Sequence, residues 1–328
     1  MRTEYSYEAE NIEPFCDIFY IDCFYNSLLP VMKKYGVDKK VILGSYVPIL
    51  CTDDVLGVKL EWKCAGDRGE ILGRYGVREM SYAEEQDICE TIKAHLDMDE
   101  LVIVYIDCFY EKGRYDTFMK EHWPHTILVY GYDEIEEEFS ILEHTEKEKL
   151  DYAPRKISYS DLNKCYRSVV KLYGEENKAS LYCYSKSENY ITDIKLEENP
   201  IKSFCKLKGA FTETEAAIRA FKEKMLLLTE DEEAYLSVIQ DIIQFLTDVI
   251  NSKLAFEYVM ELFEENDFCD MSANIRDKWQ SIRNTVAKNS YANRVTPDKL
   301  IKKLNQLDEI AVEERQMINR LLEKEKTV

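Results

Sequence analysis

Apolar residues follow two rhythms along these 328 residues. Up to about residue 205, short apolar runs alternate with polar turns. Phe24, Leu28, Leu29 and Met32 keep a helical spacing from Cys23, with Asp22 as N-cap and Gly36 as stop. Residues 41–45 predict a short strand, and residues 81–96 a second helix with Ile88, Ile92 and Leu96 on one face. The run 101–106 is apolar, β-branched and unbroken, as a buried strand should be. The segments 125–132 and 139–142 flank the acidic turn 133–137 and predict a hairpin. Further strands are expected at 154–158, 180–185 and 189–196, with a helix near 161–173. Beyond residue 206 the spacing becomes three and four, through Tyr235, Ile239, Ile242, Leu246 and Val249, then Leu300, Leu304, Leu307, Ala311, Ile318 and Leu321. These rhythms predict an α+β domain over 1–205 and a helical bundle over 206–328.

Charge and cysteine content narrow the chemistry. A net charge of −20 argues against nucleic acid, which needs clustered Lys and Arg. It suits a cationic small substrate, or simply keeps the chain in solution. With no apolar run of membrane-spanning length and no signal-like start, no membrane partner and a cytoplasmic location are expected. Ten cysteines contain no C-x-x-C spacing and only four histidines accompany them, so no zinc site or other metal is expected, and no cofactor is called for.

A thiol becomes a nucleophile when a helix N-terminus and an imidazole lower its pKa. Cys23, in the first turn of a capped helix, meets the first condition; Cys16 and Cys108 have no helix start. Cys108 remains a rival because Tyr-Ile-Asp-Cys-Phe-Tyr occurs at 20–25 and again at 105–110, with flanks that do not match. His125 opens an alternating strand and is the better-held candidate base; His122, three residues earlier, is the alternative. If the hairpin turn centres on Glu134, Glu143 stands directly opposite His125 and becomes the orienting carboxylate, with Asp133 as competitor.

An early helix-borne cysteine, with a histidine on a strand about a hundred residues later, is the arrangement of papain-like cysteine enzymes. The stretch Asp-Cys-Phe-Tyr-Asn-Ser-Leu, the segment 105–110, and His122-Trp123-Pro124-His125 running on to Gly131-Tyr132-Asp133 resemble the butirosin biosynthesis protein H N-terminal family. The resemblance covers about residues 15–150. It implies a papain-like cysteine-protease fold followed by a C-terminal helical domain, and acyl transfer in antibiotic biosynthesis; the cysteine-protease-like amide synthase of closthioamide assembly is a similar case. On it, Cys23 accepts an acyl group from the phosphopantetheine thioester of an acyl or peptidyl carrier protein and passes it to a small amine, with His125 as base and Glu143 as orienter.

Two positions depart from papain-like sequences: Glu143 stands where aspartate is common, and Asp17 stands where a glutamine precedes the cysteine by six residues. A cysteine hydrolase with the same triad, and a non-catalytic binding protein on the same scaffold, are the competing readings. Asp107, closing the buried strand, is a candidate to bind the amine or to cap a turn, and Lys33, Lys34, Lys39 and Lys40 a candidate patch for an acidic carrier protein.

Overall fold

The computed structural model describes residues 5–147, 149–173, 179–187 and 199–324. Strands and helices mix up to residue 186: β1 (Ser6–Glu8), α1 (Cys23–Lys34), α2 (Lys40–Leu43), β2 (Tyr46–Cys51), β3 (Lys59–Cys64), α3 (Arg68–Arg74) and β4 (Val77–Tyr82) come first. Then follow α4 (Ile88–Asp97), β5 (Leu101–Asp107), a 3₁₀ turn (Cys108–Tyr110), β6 (Pro124–Asp133), β7 (Glu138–Glu143), β8 (Ala153–Ser158), α5 (Tyr159–Tyr173) and β9 (Leu181–Lys186). The remainder is helical: α6 (Pro200–Lys206), a 3₁₀ segment (Lys208–Glu213), α7 (Thr214–Thr229), α8 (Glu232–Ser237), α9 (Ile239–Leu262), α10 (Asn266–Ala292), α11 (Pro297–Leu304) and α12 (Gln306–Lys324). Among the described residues, no helix is long and apolar enough to cross a membrane.

Two compact units emerge, one of Met1–Lys39 with Arg68–Lys195, the other of Lys40–Asp67 with Leu196–Val328. The first is built on an antiparallel sheet in the order β4-β9-β5-β6-β7-β8, with β1 alongside the far end of β6. Its centre is β5, whose Leu101, Val102, Ile103, Val104 and Ile106 are fully buried. Helix α1 packs against β5 and β6 through a face that includes Leu28, Leu29 and Met32. Gly131 lets β1 approach: a Cβ there would lie 2.7 Å from the Tyr7 carbonyl oxygen.

The second unit joins the β2–β3 hairpin to the helices. Val47, Ile49, Leu56 and Val58 are buried in the same core as Phe221, Ile242, Leu246, Trp279, Ile282, Leu304 and Leu321. Each such side chain contributes about 1.5–3 kcal/mol when fully buried, which is why the hairpin belongs with the helices. Gly57, at φ +80, seats it, since a Cβ there would be 2.8 Å from the Ala220 backbone.

The mixed α+β character and the C-terminal helices agree with the apolar rhythm, and several boundaries differ. The second unit takes in 196–328, where 206–328 was expected, together with 40–67, because the hairpin's apolar face needs the helical core. Residues 41–45 form the short α2 and its end rather than a strand; the strand follows at β2. Residues 81–87 precede α4, which starts at Ile88 because Asp87 caps it, its carboxylate accepting from Glu90 N–H at 3.2 Å. The strand expected at 189–196 lies outside the described residues.

Candidate active site

Cys23 is the first residue of α1. Asp22 is extended (φ −153) and its Oδ1 accepts from the N–H groups of Phe24 at 2.9 Å and Tyr25 at 3.4 Å. That leaves Cys23 on the positive end of the helix dipole, about half an elementary charge, the setting that favours a thiolate. The turn into the helix is strained, for Ile21 is β-branched yet sits at φ 58. Buried Asn26 holds that turn in place: it accepts from Tyr20 N–H at 3.2 Å and donates to the Ile18 carbonyl at 2.9 Å. The thiol itself is half-buried. Phe24 beside it meets Tyr182 edge-on at 4.9 Å and carries the Arg68 guanidinium over its face at 4.4 Å. Glu79 grips that guanidinium through two 3.0 Å hydrogen bonds.

His125 reaches Glu143 by a device the sequence does not show. The hairpin loop is 134–137, with Asp133 paired to Glu138. Continued unbroken, that register would set Glu143 opposite Leu128, on the other side of β6 from His125. A bulge between Val129 and Gly131 removes one residue from the count, so that Leu128 pairs with Leu142 and Glu143 follows opposite Ile127. His125 and Glu143 then share a face as diagonal neighbours rather than as the directly opposite pair expected. A diagonal span asks for a long side chain, which accounts for glutamate where aspartate is common. His125 Nε2 donates to Glu143 Oε1 at 3.1 Å, and Cys23 is close enough to bear on the charge of the ring. With Nε2 committed to Glu143, Nδ1 is the nitrogen left for sulfur.

The three groups support one another electrically. Burial disfavours an imidazolium, yet Glu143 and Cys23 outweigh it and push His125 up to about 10. Burial would raise Glu143, but His125 and Arg114 hold it below its ordinary value. The result is an imidazolium–carboxylate pair beside the Cys23 sulfur.

A second row backs the first. Arg114, fully buried, donates from Nη1 to His144 Nε2 at 2.9 Å and lies 3.5 Å from Glu143 Oε1. Because arginine only donates, His144 Nε2 must accept, and its Nδ1–H donates to the Lys149 carbonyl at 2.7 Å. An accepting Nε2 requires a neutral ring, and burial together with His125 pushes His144 down to about 4. Glu111, buried beside Glu143, is pushed well above the carboxylate range by burial and by Glu143's charge. His125, Glu143 and His144 have ligand atoms close enough to surround a metal ion. The cation there is Arg114, which already occupies the His144 lone pair.

No family model and no curated protein matches the chain. The chemistry of the centre is therefore carried by its geometry, and the other candidates find other tasks. Asp107 is fully buried, with four donors on its carboxylate: His122 Nδ1 at 2.6 Å, Ser168 Oγ at 2.6 Å, Phe109 N–H at 3.0 Å and Trp123 N–H at 3.1 Å. It caps the 3₁₀ turn and holds the 122–123 backbone, so it has no face to offer an amine. His122 is bound to Asp107 and stacked on Phe109 at 4.3 Å. Asp133 caps the hairpin loop, accepting from Ile135 N–H at 2.9 Å and Glu136 N–H at 3.1 Å. Asp17 is exposed and ion-paired with Lys39 at 2.8 Å. Lys33 pairs with Glu13, while Lys40 belongs to the second unit. Two of the four lysines, Lys33 and Lys39, are thus already paired with carboxylates. Arg114, Glu111 and Tyr152 were not singled out in the sequence. Arg114 sits in a Gly- and Asp-flanked stretch that reads as a solvated turn, and only the fold buries it.

Proposed function

We propose that the first unit is a papain-like cysteine acyltransferase that moves an acyl group from a carrier-protein thioester through Cys23 to an amine. The observation that supports it is His125 hydrogen-bonded to Glu143 and raised by Glu143 and the nearby Cys23, with the sulfur at the start of a capped helix. The Cys23 thiolate attacks the thioester carbonyl, and His125 protonates the departing carrier thiol. An amine then attacks the acyl-enzyme, His125 takes its proton, and the amide leaves with Cys23 again a thiolate. Glu143 keeps the imidazole oriented and balances its charge in both half-reactions.

Transfer and hydrolysis differ only in whether an amine or water reaches the acyl-enzyme. Intact-protein mass measurement after mixing with carrier-bound thioesters tests the reading. The expected result is a mass increase equal to the acyl group, located on Cys23 and discharged faster by amine than by water. Discharge to free acid at a rate indifferent to amine would make the enzyme a hydrolase.

A further inference from the structure

Tyr152 ends the loop from β7 to β8 and is only 5% exposed. Its ring stacks on His144 (centroids 4.5 Å, planes 12° apart), and His144 leans on His125 at 4.8 Å. Its own carbonyl accepts from the Cys16 thiol at 3.5 Å. The tyrosine is thus fixed both by the catalytic row and by the segment leading into Cys23. Its hydroxyl is closed to solvent and has no hydrogen-bond partner among the described residues. A buried polar group left so costs about 1–3 kcal/mol, which calls for an acceptor that arrives later. The charge that bears on the hydroxyl most is that of Cys23, followed by Glu143, yet it makes no hydrogen bond to the sulfur. The waiting acceptor is therefore something other than the resting sulfur.

Attack by Cys23 on a carbonyl creates such an acceptor, an oxygen anion one carbon away from Sγ. Papain-like enzymes meet it with a glutamine amide and the cysteine N–H. Here Asp17 holds the glutamine's position, exposed and facing Lys39. We propose that the Tyr152 hydroxyl donates to this oxyanion, together with the N–H of Cys23, which as the first helical residue has no intrahelical acceptor. The proposal rests on Cys23 being the nucleophile, and is indifferent to the acyl group and the amine.

Two reagents separate an oxyanion donor from a residue that only tunes the thiol. With p-nitrophenyl acetate, the Sγ–C bond forms as the carbonyl pair moves to oxygen; collapse breaks the ester C–O bond and releases p-nitrophenolate. Iodoacetamide is displaced at a saturated carbon, forms Sγ–C, releases iodide and builds no oxyanion. Tyr152→Phe should slow acetylation of Cys23 by about 10²–10³ while its alkylation stays within about twofold, which also shows that the variant folds. Tyr105→Phe, removing the hydroxyl of a tyrosine stacked on Phe24 next to Cys23, should change neither rate. Equal slowing of both reactions in Tyr152→Phe, or acetylation at the parental rate, overturns the proposal. A parent alkylated at Cys23 but never acetylated also overturns it, leaving the nucleophile intact. A parent unreactive at Cys23 toward both reagents removes the nucleophile and the proposal with it.

Discussion

The hexapeptide Tyr-Ile-Asp-Cys-Phe-Tyr occurs at 20–25 and 105–110, and both copies do the same thing locally. In each, the aspartate accepts from the N–H two residues on, at 2.9 Å and 3.0 Å, and opens a helical turn with cysteine first. What looks in composition like coincidence is a shared cap. The copies part after the tyrosine. Asn26-Ser27-Leu28-Leu29 carries the first on as a helix to Lys34, while Glu111-Lys112-Gly113 ends the second after three residues. Cys23 is half-buried and close enough to His125 to raise it; Cys108 is fully buried, and burial and Glu111 push its thiol well up. A cap can place a sulfur at a helix start. Reactivity comes from a full-length dipole, a base and an open side, which only the first copy has.

Exchanging the fates of the two thiols is the largest test of this contrast. Cys23→Ala should abolish the acyl-enzyme and lower transfer on the order of 10⁴-fold or more, whereas Cys108→Ala should leave the rate within a few-fold. Rate measurements with a thioester donor decide it, and an inactive Cys108→Ala that remains folded would reverse the assignment. Next in size is Glu143→Gln, expected to slow turnover by roughly 10²–10⁴. Glu143 raises His125, so the alkaline limb of the acylation pH profile, set near 10 in the parent, should move to lower pH in this variant. An unmoved limb would detach Glu143 from the base.

Gly131→Ala probes the bulge behind the row. Its Cβ would meet the Tyr7 carbonyl, and a loss of about 1–3 kcal/mol in urea unfolding is expected. Parental stability would mean that β1 does not approach that closely. The smallest effect is on acid stability. His144 has a folded value of about 4 against an ordinary 6.5, so its contribution is present above pH 6.5 and lost as pH falls toward 4. His144→Gln should flatten that part of the stability curve, and an unchanged slope would place the acid sensitivity elsewhere.

The sequence carried the parts of the site that depend on local rules. Asp22 and Cys23 are legible because capping is a matter of a few adjacent residues, and His125 because an alternating strand announces itself. The partnership of His125 with Glu143 was read through a register that the bulge changes; the pair meets, but diagonally. Of the two roles open to Asp107, the turn cap is the one the structure shows, and nothing in the sequence places Ser168 and His122 against it. Arg114 and Tyr152 are ordinary loop residues in one dimension, and their burial exists only once β7, β8 and the 110–121 segment are packed. The helical rhythm after 206 was legible for the opposite reason, since each stripe needs only its own period. The membership of 40–67 in that unit was not, because hairpin and helices are far apart in sequence.

The central claim is that Cys23, and not its capped counterpart Cys108, is the reactive thiol. Brief treatment of the native chain with iodoacetamide near pH 6, followed by peptide mapping, tests it directly. At that pH an ordinary thiol, with a pKa of about 8.5, is almost wholly protonated, so only a thiolate held by an imidazolium reacts quickly. The account predicts one rapidly labelled site, Cys23, with labelling lost in Cys23→Ala. Rapid labelling of Cys108, or slow labelling of Cys23 no faster than exposed Cys16, would contradict it.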